Sequence, residues 1–100
     1  MELTGKAKED FKKWFIETKD LYDSFENELR LMSDTCLNAH IIEWFDSVGI
    51  FVNTVRLEGV WNYSFRFKHN RYQEYNFNTR QEATEQSIIK ANDIYNERFK

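Results

Sequence analysis

From Trp61 to Lys68 a ring alternates with a polar side chain without a miss: Trp61, Tyr63, Phe65 and Phe67 against Asn62, Ser64, Arg66 and Lys68. A period of two is that of a β-strand, whose successive side chains point to opposite faces. Four rings on one face must be buried under a second layer, while the polar face can meet water. With 100 residues there is material for one core and not for two, so the chain reads as a single domain over residues 1–100.

The flanking segments supply the rest of the sheet. Ile50 to Leu57 is rich in β-branched and aromatic residues and reads as a strand, Glu58-Gly59 as a tight turn, His69-Asn70 as another turn, and Arg71 to Phe77 as a third strand. Proline is absent, and glycine occurs only at Gly5, Gly49 and Gly59, which leaves no flexible linker.

Helices make up the covering layer. Ala7, Phe11, Trp14, Phe15, Leu21, Tyr22, Phe25, Leu29 and Met32 recur at three- and four-residue steps, with a break expected near Lys19–Ser24, where Asp20, Asp23 and Ser24 favour the start of a second helix. A further helix should begin at Ser33 or Asp34, carry Leu37, Ile41, Trp44, Phe45 and Val48, and stop at Gly49. Thr79-Arg80-Gln81-Glu82 is a capping box opening a last helix that presents Ala83, Ile88, Ala91, Ile94 and Tyr95. The expected class is α+β: N-terminal helices, a three-stranded antiparallel meander and a C-terminal helix (α-α-β-β-β-α), packed on one sheet face. Phe11, Trp14, Trp44, Phe45, Trp61, Phe65 and Tyr95 are expected to share the core.

Several functional classes lose their footing. No stretch reaches the roughly 20 apolar residues of a membrane helix, and Met1 to Lys6 lacks the apolar run of a signal peptide, so a cytoplasmic location without membrane contact is expected. The lone Cys36 can close no internal disulfide. Three isolated glycines make no phosphate-binding loop, no metal-ligand set stands out, and no cofactor is expected.

Three groups of side chains are candidates for function. Cys36, His40 and Glu43 stack at helical spacing, so that a histidine could deprotonate a thiol, yet no oxyanion stabiliser accompanies them and no enzyme is expected. Residues 50–80 carry a net charge of +3 in a chain of net charge −3, while residues 1–49 carry −5. Arg56, Arg66, Lys68, Arg71 and Arg80 could gather on the polar face and rim of the meander, with Tyr72 or Tyr75 between them, as a weak nucleic-acid surface. The element order is similar to that of the double-stranded RNA-binding domain, but the segment opening the last helix holds one Arg and two Glu where that domain has a lysine cluster. Finally, three helical segments exceed what a three-stranded sheet can cover. Leu21, Tyr22, Phe25, Leu29 and Met32 are therefore expected to remain exposed and to bind a protein partner or a second copy.

Leu3-Thr4-Gly5-Lys6-Ala7-Lys8-Glu9-Asp10-Phe11, Trp44-Phe45-Asp46-Ser47-Val48-Gly49-Ile50, Thr79-Arg80-Gln81-Glu82-Ala83 and Lys90-Ala91-Asn92-Asp93-Ile94-Tyr95-Asn96-Glu97 together resemble a group of small uncharacterised proteins of bacteriophages and prophages of Bacteroides-type gut bacteria. The resemblance covers most of the chain apart from Thr18 to Asn38. It implies a phage or mobile-element accessory protein in the bacterial cytoplasm and assigns no functional residue. The expected role is that of a non-enzymatic protein-interaction module, with nucleic-acid binding as the alternative.

Overall fold

The alternating segment is the middle strand of a three-stranded antiparallel sheet. The computed structural model describes residues 3–19, 21 and 24–99, in the order α1 (Gly5–Thr18), α2 (Phe25–Leu31), α3 (Asp34–Ser47), β1 (Asn53–Leu57), β2 (Val60–Phe67), β3 (Asn70–Phe77) and α4 (Arg80–Phe99). The strands lie in the order β1-β2-β3. This is the expected α+β class, with the break after Thr18 resolving the N-terminal stripe into two helices.

Local chemistry sets most of the boundaries. The Ser24 hydroxyl accepts the Asn27 amide at 3.3 Å and the Ser33 hydroxyl accepts the Cys36 amide at 3.1 Å, so each serine caps the helix after it. At the end of α3, Ile50 N–H donates to the Phe45 carbonyl and Gly49 N–H to the Asp46 carbonyl, with Gly49 at φ +89°. This is the Schellman pattern. It also explains why β1 starts three residues later than Ile50: Ile50 is fully buried as the apolar closure of the helix end. Thr79 accepts the Glu82 amide at 3.1 Å; the return bond from the Glu82 carboxylate is absent among the described residues.

Two two-residue turns set the register. Glu58 and Gly59 both have positive φ, the signature of a type I′ turn, and close Leu57 against Val60. The second turn falls one residue earlier than the expected His69-Asn70: Lys68, at φ +59°, and His69 make it, and Asn70 already pairs with Phe67. Farther along, Tyr63 faces Glu74 while Trp61 faces Phe77, so β3 holds one extra residue in a bulge. Asn76 sits there at φ +73° and donates its amide to the buried Asn62 Oδ1 at 3.4 Å.

Tyr63, Phe65 and Phe67 are buried as the alternation requires. Of the expected helices, α4 is the one that lies across all three strands, while α1 and α3 pack against α4 and each other. Small Ala83, Ser87 and Ala91, all fully buried, let α4 approach closely. Rings then bridge the layers: Trp44 meets Tyr95 edge-on at 4.9 Å between centroids, Tyr95 meets Phe99 at 4.6 Å, and Phe99 meets Phe67 at 6.4 Å. Phe11, Trp44, Phe45, Phe65 and Tyr95 share this core and Trp14 packs half-buried against it. Trp61 does not join it. The ring stands at the bulged end of the sheet under Arg80, whose guanidinium carbon is 4.6 Å from its centroid.

The first turn of α1 is finished by α4. Thr4 makes no side-chain cap to its own helix; instead Asn96 Oδ1 accepts the Ala7 amide at 2.7 Å, and Asn96 Nδ2 donates to the Thr4 carbonyl at 2.9 Å. Asn92 adds a reciprocal pair, accepting the Thr4 amide and donating to the Thr4 hydroxyl, each at 2.9 Å. Gly5 is required here twice over. Its φ is +59°, and a Cβ would stand 3.0–3.2 Å from the Asn96 amide group.

Three outcomes follow from this packing, all readable by denaturant unfolding. Asn96→Ala should cost about 1–3 kcal/mol by stranding the Ala7 amide, the Thr4 carbonyl keeping its bond from the Lys8 amide, and Gly5→Ala a similar ~1–3 kcal/mol through its left-handed backbone. Phe65→Ala should cost about 3–5 kcal/mol. Burial first, and then hydrogen bonds donated to Glu74 and Asp10, push the Tyr63 and Tyr95 hydroxyls above their ordinary value of 10.0. The unfolded chain therefore gives up these protons first. The stability they lend is complete below pH 10 and declines as pH rises beyond it, and Tyr63→Phe with Tyr95→Phe should flatten that decline in melting temperature.

Candidate functional site

The face of the sheet turned away from α4 is fixed by the turns. Since Leu57 faces Val60, Val55 faces Asn62 and Asn53 faces Ser64; on the other side Ser64 faces Gln73 and Arg66 faces Arg71. Period two then brings Tyr75 to the same face. No helix covers it: Val55 is 47%, Leu57 56% and Tyr75 54% exposed, and Phe51, leading into β1, 60%. Among the described residues the other exposed large apolar side chains, Ile16, Leu31, Ile89 and Phe99, are spread over three helices. The sheet face is thus where exposed apolar surface accumulates.

Its two ends differ in chemistry. At the turn joining β1 to β2, Leu57, Glu58, Val60 and Tyr75 border a shallow hollow with the buried Asn62 at its floor. Toward the β2–β3 turn, Phe51, Asn53, Ser64, Arg66 and Arg71 line a second hollow of about 320 Å³. Arg66 and Arg71 stand directly opposite each other, both exposed, and neither makes an ion pair among the described residues. Like charges in this position weaken a strand pair. The strand positions of this face hold no aspartate or glutamate, and the Glu58 carboxylate borders it only at the β1–β2 turn, at the far end from the two arginines.

The five expected basic residues do not form one surface. Arg66 and Arg71 share the uncovered face, but Arg56 is opposite Trp61 on the helix-covered side, because the turn that pairs Leu57 with Val60 sends Arg56 the other way. Arg80 stacks on that same Trp61 ring. Lys68 sits in the turn, its ammonium 5.5 Å from the Phe67 centroid. Tyr72 faces Phe65 on the covered side, stacked at 5.1 Å, and Tyr75 alone of the two tyrosines is on the open face.

The stripe expected to remain exposed is instead the lid of the helical core. Phe25 is buried, edge-on to both Phe11 and Phe15 at 6.0 and 5.6 Å, and Leu21, Leu29 and Met32 pack half-buried against the core. Tyr22 lies outside the described residues. α1 and α3 stack on α4 instead of competing for the strands, which leaves room under α2 for these side chains. In α2 the exposed apolar residue is Leu31, at 79%. Beneath the helix, Phe11, Phe25, Leu29, Leu37 and Ile41 line a hollow of about 270 Å³ whose rim carries the Lys12–Glu26 ion pair, 3.0 Å long.

Cys36, His40 and Glu43 do not assemble into a proton relay. Both Glu43 oxygens accept from Lys19 Nζ at 3.1 Å. His40 Nδ1 is 3.8 Å from Glu43, too far for a hydrogen bond, and is buried with no partner; its ring packs edge-on against Phe15. Cys36 is exposed. Among the described residues no group of three His, Cys, Asp or Glu side chains could hold a metal ion, and no helix is long and apolar enough to cross a membrane. Comparison with known proteins gave no matching family model, no match among curated proteins and none among solved structures.

Proposed function

We propose that the protein is a non-enzymatic interaction module whose working surface is the uncovered face of the sheet. The observation that carries this reading is the exposure of Phe51, Val55, Leu57 and Tyr75 together on one uncovered face. Exposed aliphatic and aromatic area of this kind, rimmed by polar groups, suits protein recognition. The resemblance of the helical segments to phage proteins supports an accessory role in that setting. Binding of single-stranded nucleic acid is the second reading, favoured by Phe51 beside the unpaired Arg66 and Arg71.

Affinity capture from cells that carry the gene tests the first reading. The wild type should retain a defined partner and a Val55→Asp, Leu57→Asp variant should lose it while its melting temperature changes little, because both side chains are already in water. Retention unchanged by that variant would remove the sheet face from consideration.

A further inference from the structure

We infer that Arg66 and Arg71 are an anion-recognition point, and that the occupant of the sheet face is an extended acidic-and-apolar peptide segment of a partner protein. This rests on the reading of the face as a protein-binding surface and names what it binds. Two arginines directly opposite each other across a strand pair repel, and no carboxylate lines the hollow they share. A carboxylate or phosphate seated between them would accept from both and turn the repulsion into two charge-assisted hydrogen bonds. Asn53 and Ser64 line the same hollow and offer neutral donors beside the pair, with Phe51 walling it. The face is complementary to an anion even though the chain carries a net charge of −3.

The apolar end decides between classes of partner. Val60 and Arg66 stand six residues apart on β2, about 20 Å at ~3.3 Å per residue. An extended chain laid along the strand would place an acidic side chain at Arg66 and Arg71 and apolar side chains at Val55, Leu57 and Tyr75. A nucleic-acid strand would find two arginines for its phosphates and the Phe51 and Tyr75 rings for its bases, but Val55 and Leu57 between them neither stack on bases nor pair with a backbone. The peptide uses both ends of the face.

The test is selection of random displayed peptides, about twelve residues long so that an extended member spans the face, on the folded full chain. Enriched peptides should carry Asp or Glu about six residues from an apolar pair. They should bind an Arg66→Gln, Arg71→Gln variant about ten-fold or more weakly, with melting unchanged or raised. Peptides that depend on Val55 and Leu57 but carry no acid, or that bind the double-Gln variant equally well, overturn the anion point and leave the protein-binding reading standing. No enrichment on the wild type overturns both. Oligothymidylate of about twelve nucleotides that binds with a steep salt dependence and ignores Val55→Asp, Leu57→Asp overturns the peptide in favour of nucleic acid.

Discussion

Thr4 and Asn96 hold the two ends of the fold together, and much of the arrangement depends on that contact. Asn96 does for α1 what a capping residue ordinarily does for its own helix, so α1 can begin properly only when α4 is already in place. Because α4 is also the helix that spans the three strands, the same contact fixes α1 relative to the sheet. Three residues of α4 make this seam: Asn92 and Asn96 on the first turn of α1, and Tyr95 on Asp10 one turn farther along. Each pairing spans most of the chain, so local propensity alone cannot create it. Packing of the rings has to bring the two helices together first, after which the amides make their alignment specific.

What could be read from the sequence was whatever is decided within a few residues. The ring alternation in β2, the serine caps before α2 and α3, the glycine closure of α3 and the Thr79 cap are all local chemistry, and all stand in the structure. What escaped is set by relations between segments. Asn53–Leu57 gives no sign by itself of which face is buried; the type I′ turn decides it by pairing Leu57 with Val60, which puts Arg56, still exposed, on the Trp61 side and Val55 and Leu57 on the uncovered face. The Glu58-Gly59 dipeptide is the local signal for this, since a two-residue turn fixes the register of the strands it joins. For Phe25 no such signal existed, since its burial depends on how α2 folds back over α1 and α3.

The burial of the α2 stripe has the same origin. An apolar stripe at helical spacing looks surplus beside a narrow three-stranded sheet, but helices can bury their stripes against each other. The surplus apolar surface falls on the sheet instead, where the strand pattern had promised only polar groups. Electrostatics sharpens this division. Residues 1–49 carry eleven carboxylates, whereas the strand positions of the uncovered face hold none and no carboxylate lines the hollow at Arg66 and Arg71.

Since residues 4 and 96 are bonded to one another, the path between them is a closed circuit, opened only at a joint of hydrogen bonds. A pull applied at those two residues would meet that joint before it reached any strand pairing, and α1 would peel from α4 while the meander was still under little tension. A covalent bridge across the same gap would move the load to the hairpins. The sequence could then be cut at Glu58-Gly59, in the exposed turn, to give a rearranged chain whose new ends lie beside the apolar end of the sheet face.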